Sequence, residues 1–359
     1  MRSIINYFII LFTIAMVLSF PLRGAGQSIG GSISIDPESG EGATGTRQAD
    51  GEEPEIPEIV DYSDRLIIRP YLLVPMNFLV INHYDSDSGS KSDDITYLPN
   101  PTLCAGAGVS WWIFGVSFHM ATTPLRDTGD YGETVFLDLQ FNYYFRKFGF
   151  DLFYQRYRGY SLNEADSYHM PQGEAGAVRS DLTITAIGGN FFYIFSDHFS
   201  YNAAFKGTER QTASGGSFIL MASLINNNID SDYSLIPPEQ EPLYGNDAGF
   251  QSGNFTSIGI SPGYARTFIF TDGFYVTPSI CVGTGLMRKS YSRLSGDKTI
   301  YGSFIKFNFR FAAGYNGDRW FYGLALVVDG TSSMSSMGGR GISASTYGGY
   351  LETFAGYRI

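Results

Sequence analysis

Residues 134–160 read TVFLDLQFNYYFRKFGFDLFYQRYRGY, and this stretch decides the fold. Leu137, Leu139, Phe141 and Tyr143 alternate with Asp138, Gln140 and Asn142. Successive side chains of a strand point to opposite faces, so one face is apolar and the other polar. Arg146-Lys147-Phe148-Gly149 makes a tight turn, and the next run places Asp151, Phe153, Gln155 and Tyr157 together on one face. Two such runs joined by a short turn are an antiparallel hairpin. Its apolar face suits lipid and its polar face suits an interior, which is the pattern of a transmembrane barrel.

Composition extends the reading to the whole chain. Among 359 residues, aromatics make up 16% and charged residues 16%, with 43 glycines. A soluble domain carries about 25% charged residues. Mean hydropathy is close to zero. That excludes a bundle of apolar membrane helices and fits a barrel, whose polar interior offsets its apolar exterior. The net charge is −11, but ten acids against one base lie between Gln27 and Asp64. The acidity therefore belongs to a tail. No basic patch is present, which excludes nucleic acid as a partner.

The chain opens with Arg2, an apolar core from Ile4 to Phe20 and the small residues Gly24-Ala25-Gly26. Residues 1–26 thus read as a secretory signal peptide. Residues 27–64 are rich in Gly, Ser, Glu and Pro and bury too little to offset chain entropy. They read as a disordered, acidic periplasmic tail, which leaves 65–359 as the barrel.

Loop lengths set the strand count. Segments 83–100, 123–131, 159–178, 226–253, 292–299 and 330–341 are long or medium; the turns at 111–112, 146–149, 196–198, 271–273 and 316–318 are short. Outer-membrane barrels keep short turns on the periplasmic side and long loops outside. Only 199–225 upsets the alternation. Phe199 to Thr208 looks like an alternating strand, Glu209 to Ser217 is polar, and Phe218 to Ile225 is apolar again. Taken as one crossing, with the polar middle a bulge, an inward fold or a tall rim, it gives an all-β, antiparallel outer-membrane barrel of about twelve strands. An extra strand within 226–253 would give fourteen. Pro70 and Pro75 predict an irregular first strand, and Gly188-Gly189 a bulge. Cys104 and Cys281 lie far apart and read as small wall residues rather than a disulfide.

Several stretches resemble a known family. YLPN at 97–100, DLQFNYYFRKFGFDLFYQRYRGY at 138–160, RSDL at 179–182, FSYNAAFKGTERQTASGGSF at 199–218 and the closing GYRI are similar to the outer-membrane family catalogued as domain of unknown function 4421, found in Bacteroidota. The segment TERQTASGGS departs from the more lysine-rich form of that family. The resemblance implies an exported outer-membrane barrel and implies no activity.

Inward parity, together with the polar run at 209–211, selects a candidate lumen network: Arg69, Asp138, Gln140, Asp151, Gln155, Asp181, Lys206, Glu209, Arg210, Gln211, Lys306, Arg310 and Glu352. Charges of both signs in a low-dielectric interior are expected to pair. Thr353, Ala355, Tyr357 and Ile359 alternate along the last strand and form a candidate signal for the barrel-assembly machinery. Three functions follow, in order of support. The first is a narrow channel or transporter for a small polar solute. The second is a sealed structural or surface-interaction barrel acting through its outer loops. The third, remote, is an outer-membrane hydrolase. Ser117 and His119 share a strand face, but no acid is placed to orient the histidine, so no catalytic residue is assigned. The His and Cys residues are scattered, and no enzyme activity, metal or cofactor is expected. The expected surroundings are bacterial outer-membrane lipid.

Overall fold

The computed structural model describes residues 58–85, 90–91, 94–112, 114–163, 177–270, 273–333 and 340–359. The signal segment and residues 27–57 of the tail lie outside the described residues.

Twelve strands of ten or more residues form the wall, all paired antiparallel. They are β2 (Ile67–Asp85), β5 (Thr102–Trp111), β6 (Phe114–Pro124), β7 (Val135–Tyr144), β8 (Phe148–Leu162), β9 (Val178–Ile194), β11 (Gly215–Asp230), β12 (Gly253–Ile269), β13 (Phe274–Tyr291), β14 (Lys298–Asn316), β15 (Trp320–Ser333) and β16 (Arg340–Arg358). Four short strands, β1 (Ile59–Asp61), β3 (Ser90–Lys91), β4 (Ile95–Leu98) and β10 (Glu209–Gln211), accompany them.

The sheet closes where β16 pairs with β2 along nearly its whole length. Tyr71 pairs with Phe354 and Ile68 with Tyr357, and the ladder skips the residues around Pro70, which lacks the N–H to continue it. On its other side β2 changes neighbour midway. Ile67–Leu73 pair with β5, and Leu79–Ile81 pair with β4. Pro75 falls in the stretch between, where that side of the strand has no ladder to lose. β4 in turn pairs Tyr97 and Leu98 with Leu162 and Ser161 of β8. The hydrogen-bonded ring therefore runs through ten strands, with β4 closing it; β5 and β6 hang from β2, and β7 hangs from β8.

The outward faces are apolar, as the alternation predicts. Leu137, Leu139, Phe141, Phe218, Ile258, Ile280 and Leu286 are all exposed on the wall. Within the described residues, the wall strands place an apolar belt where hydrocarbon would lie. Cys104 and Cys281 are buried free thiols.

Two segments differ from the sequence reading. Gly188-Gly189 makes no bulge: β9 keeps unbroken register with β8 and β11 through both glycines. The irregularity lies at Arg158/Tyr160 instead. Gly159 there has φ +89°, and a Cβ would lie 2.1 Å from the Glu133 carbonyl oxygen, so only glycine fits. Residues 58–64 of the expected disordered tail are ordered, because β1 pairs with β10 from Ile59–Gln211 to Asp61–Glu209.

Candidate functional site

The stretch 199–225 crosses the wall once, as β11, but its first half is not a strand. Asn202–Lys206 form a π-helix folded inside the barrel at the short-turn end, capped by Gly207. Tyr201, Ala203, Ala204 and Phe205 are buried. Gly207 has φ +73°, and a Cβ would sit 2.3 Å from the Phe321 ring. The inward fold, a plug, is thus made by 199–208, the run that reads as an alternating strand, and not by the polar middle; Glu209–Gln211 of that middle form β10, which leaves the plug and carries the added strand β1.

The plug is fastened to one side of the barrel. The Tyr275 hydroxyl donates to the Ala204 carbonyl (2.8 Å), and Asn316 Nδ2 donates to the Ala203 carbonyl (2.9 Å) and the Glu209 carbonyl (3.0 Å). Tyr201 shares a hydrogen bond with Ser279 (2.7 Å). Arg358, fully buried, donates to the Gly207 carbonyl (2.8 Å) and to Asn316 Oδ1 (2.6 Å), and stacks between Tyr62 and Phe321. At the rim, Asp318 accepts from the Tyr62 hydroxyl (2.9 Å) and from Arg210 (2.6 Å). That hydroxyl, then the Arg210 charge, hold the Asp318 carboxyl below the ordinary carboxylate range.

Above the plug the lumen is filled by ion pairs. Arg310 pairs with Asp151 and also donates to the Tyr144 hydroxyl (2.6 Å) and Asn308 Oδ1 (3.0 Å). Lys306 pairs with Asp329, whose other oxygen accepts from Asn190 (3.0 Å) and Asn308 (2.9 Å). Arg69 pairs with Glu352, its guanidinium 4.2 Å over the Phe354 ring. Asp138 accepts from Gln140 (3.1 Å), Gln155 (2.9 Å) and the Tyr157 hydroxyl (2.7 Å). At the long-loop end an aromatic and aliphatic cluster that includes Tyr97, Tyr157, Tyr160, Tyr244, Phe250 and Tyr291 fills the mouth. There the Tyr97 hydroxyl donates to the Leu235 carbonyl (2.8 Å), tying segment 231–252 across it.

The wall itself has a gap. β6 pairs only with β5 and β7 only with β8; among the described residues no ladder joins β6 to β7. A cavity of about 900 Å³ opens between them. Its floor carries Arg69, Asp138, Asn142, Lys206 and Glu352, and its rim carries Phe118, Met120, Leu137, Leu139 and Phe141. His119, with Nδ1 3.4 Å from the Tyr71 hydroxyl, lies on the β6 side. The gap is sealed above by the YLPN turn. Asn100 Nδ2 donates to the carbonyl of Gly132 (2.8 Å), and its backbone N–H to Thr134 Oγ1 (2.8 Å), while Thr134 donates to the Gly159 carbonyl (2.7 Å). These bonds hold the loop between β6 and β7 under β4.

Of the candidate network, Arg69, Asp138, Gln140, Asp151, Gln155, Lys306, Arg310 and Glu352 lie inside, and Lys206 faces the gap. Asp181 does not belong with them. It has the parity of the exposed Ile187 and Phe191 on β9, and pairs at the long-loop rim with Arg179, 2.8 Å away. Glu209, Arg210 and Gln211 form β10 beyond the plug; Gln211 donates to the carbonyls of His198 and Ala213, both at 3.0 Å. Thr353, Ala355 and Tyr357 lie on the outer face of β16, with Ile359 exposed beyond its end. Missed were Asp329 and Arg358, each a lone charge at inward parity near a strand end, and Asp318 in the turn. Among the described residues no cluster of His, Cys, Asp or Glu could hold a metal ion.

Fold and site together define an antiparallel transmembrane-type β-barrel with a plugged lumen and an unzipped seam. The chain belongs to the family described as Domain of unknown function (DUF4421), which matches residues 59–358. The stretches that carry the resemblance, YLPN, β7–β8 and the plug, surround the seam. No curated protein matches the chain. Among solved structures it is similar to the outer membrane protease OmpT from Escherichia coli, at 9% identity over 83% of this chain and 98% of that one, with a TM-score of 0.39. It is also similar to the P. putida toluene transporter TodX (8% identity, 82% and 90% covered, TM-score 0.24) and to a Pseudomonas aeruginosa FadL homologue (10%, 82% and 90%, TM-score 0.27).

Proposed function

We propose that this protein is exported to the bacterial outer membrane and there takes a ligand sideways, through the seam between β6 and β7, rather than passing solute along its axis. The observation that carries the reading is the contrast between the filled ends of the lumen and the 900 Å³ cavity open through the wall. A strand edge facing hydrocarbon leaves N–H and C=O groups unsatisfied at several kcal/mol each, so an open seam is kept only where something polar or a ligand uses it. The lumen ion pairs act in this reading as a packed layer between plug and mouth rather than as the lining of an axial channel. Thr353, Ala355, Tyr357 and Ile359 serve in this reading as the outward strand that the assembly machinery engages.

The test uses protein reconstituted in vesicles and planar bilayers. Gln140→Cys, on the cavity side of β7, should react with a maleimide that partitions into the bilayer. Ser257→Cys, inward on β12, should not. Steady single-channel conductance, or labelling of Gln140→Cys by a membrane-impermeant reagent alone, would overturn the lateral reading in favour of the axial one.

A further inference from the structure

Lys206 is the one inward cation of the seam cavity without a carboxylate. Its ammonium has three donors. Among the described residues it makes no ion pair, and its one hydrogen bond is to Asn142 Oδ1 at 3.5 Å. Its charged neighbours are already committed: Glu352 to Arg69, and Asp151 to Arg310, Tyr144 and Asn142. The carboxylate oxygens of Asp138 are taken by three neutral donors. Lys206 is part-buried and lines the cavity, so the cavity offers one cation whose counter-charge the protein does not supply.

The surroundings are of two kinds, polar and apolar. Lys206, Arg69 and Asn142 give the cavity its polar lining; Leu73, Phe136 and Phe205 add a buried apolar cluster beside them; Phe118, Met120 and Leu139 are its exposed apolar lining. Phe118 and Met120 are 68% and 64% exposed, on the apolar outer wall that would face hydrocarbon. We infer that the seam takes a single-chain lipid carboxylate from the bilayer, its head on Lys206 and its acyl chain passing out between β6 and β7. The inference rests on the lateral reading and gives it a ligand. A carboxylate fits one ammonium. A phosphate would draw on the planar forks of arginine; Arg310 is occupied by Asp151, Tyr144 and Asn308, and Arg69 is already neutralised by Glu352 through Nη2, although its buried Nε has no partner. Cavities of about 300–1,000 Å³ are the size that holds one small ligand. The unpaired edges could instead accept a peptide strand. The lysine at the floor and the apolar rim favour the lipid.

The experiment measures binding of a fluorescent long-chain fatty acid, and of the matching alcohol, to the full-length protein in nanodiscs. The wild type should bind the acid more tightly than the alcohol. Lys206→Gln should weaken the acid about tenfold or more, which corresponds to roughly 1.4 kcal/mol, and leave the alcohol unchanged. Lys206→Arg should keep the acid, which separates charge from folding. Joining Met120→Cys to Leu139→Cys across the rim with a short bis-maleimide should abolish binding of both. If acid and alcohol bind equally and Lys206→Gln changes neither, while the cross-link still blocks both, the anionic head is wrong and lateral access stands. A cross-link without effect on binding overturns lateral access and this inference with it. Binding of neither amphipath, with an added extended peptide protecting the amides of β6, replaces the lipid by a strand.

Discussion

The two halves of the wall are built from similar strands and end differently. On one arc, β11 to β16 and β2, the ladders run almost end to end; β13 and β14 stay in register from Phe274–Tyr315 to Tyr291–Lys298. On the other, β5 holds β2 only from Ile67 to Leu73, and β6 and β7 do not meet among the described residues. Length separates them. The strands of the closed arc have 14 to 19 residues, whereas β5, β6 and β7 have 10 or 11. Ten residues are enough to cross hydrocarbon. They leave nothing to pair above it, and β4 takes that place between β2 and β8. The plug repeats the asymmetry. Tyr275, Ser279, Asn316 and Arg358 pin it to the closed arc. Toward the seam, among the described residues, it has the bond from Asn202 to the Tyr144 carbonyl (2.9 Å), the Tyr201 ring tilted against that of Tyr144 (5.3 Å between centroids) and the long contact from Lys206.

The largest effect should come from breaking the bond that ties the closed arc to β8. Arg310→Ala leaves Asp151 buried and uncompensated, which costs about 3–5 kcal/mol. Urea unfolding of the reconstituted barrel should show that loss. Arg310→Ala combined with Asp151→Ala should recover a large part of it, and additive losses would show that the pair does not join the arcs. The next effect is kinetic. Amides of β6 should exchange with deuterium about two orders of magnitude faster than those of β13, as an opening free energy lower by roughly 3 kcal/mol requires. Equal protection of the two strands would mean that the seam is zipped in the membrane and that the arcs do not differ.

Much of the wall was legible because alternation is a local signal. Leu137, Leu139 and Phe141 face out for the same reason that Asp138 and Gln140 face in. Loop parity also revealed that 199–225 crosses once. What it could not reveal was the plug. Tyr201, Ala203 and Phe205 alternate as a strand would, and only Gly207, with its left-handed backbone against Phe321, turns that run into a π-helix. Asp181 was misplaced for a related reason. Parity says which residues share a face, not which face it is, and near a rim both faces carry charge. The seam was least legible of all. VSFHMATT and VFLDLQFN are consecutive wall strands across the 123–131 loop, with nothing in either to mark a missing ladder, and what keeps them apart is β4, inserted by pairing with β2 and with β8, more than sixty residues further along.

The smallest effect concerns the end of the plug that leans on the closed arc, and pH reads it. Asp318 sits in the β14–β15 turn, largely exposed, and accepts from Tyr62 of the N-terminal segment and Arg210 of β10. Its folded pKa lies below the value of the free carboxyl. The stabilisation is therefore complete above the unfolded pKa, near 3.9, and is lost as pH falls through the folded value. Exposure to solvent screens such a pair, so the barrel should remain folded while the contact goes. Proteolysis between Glu58 and Asp64 should accelerate as the pH is lowered through that range, and Asp318→Asn should show the faster cleavage already at neutral pH. Cleavage that rises on acidification to the same extent in Asp318→Asn would place the sensitivity elsewhere in the β1–β10 pair, with the His198–Glu58 contact the next to test. Either outcome leaves the Arg69–Glu352 pair and the Lys206–Asn142 contact in place, because the β1 segment meets the plug through Thr208 and β10 instead. The plug can thus loosen toward the closed arc without the cavity losing its floor.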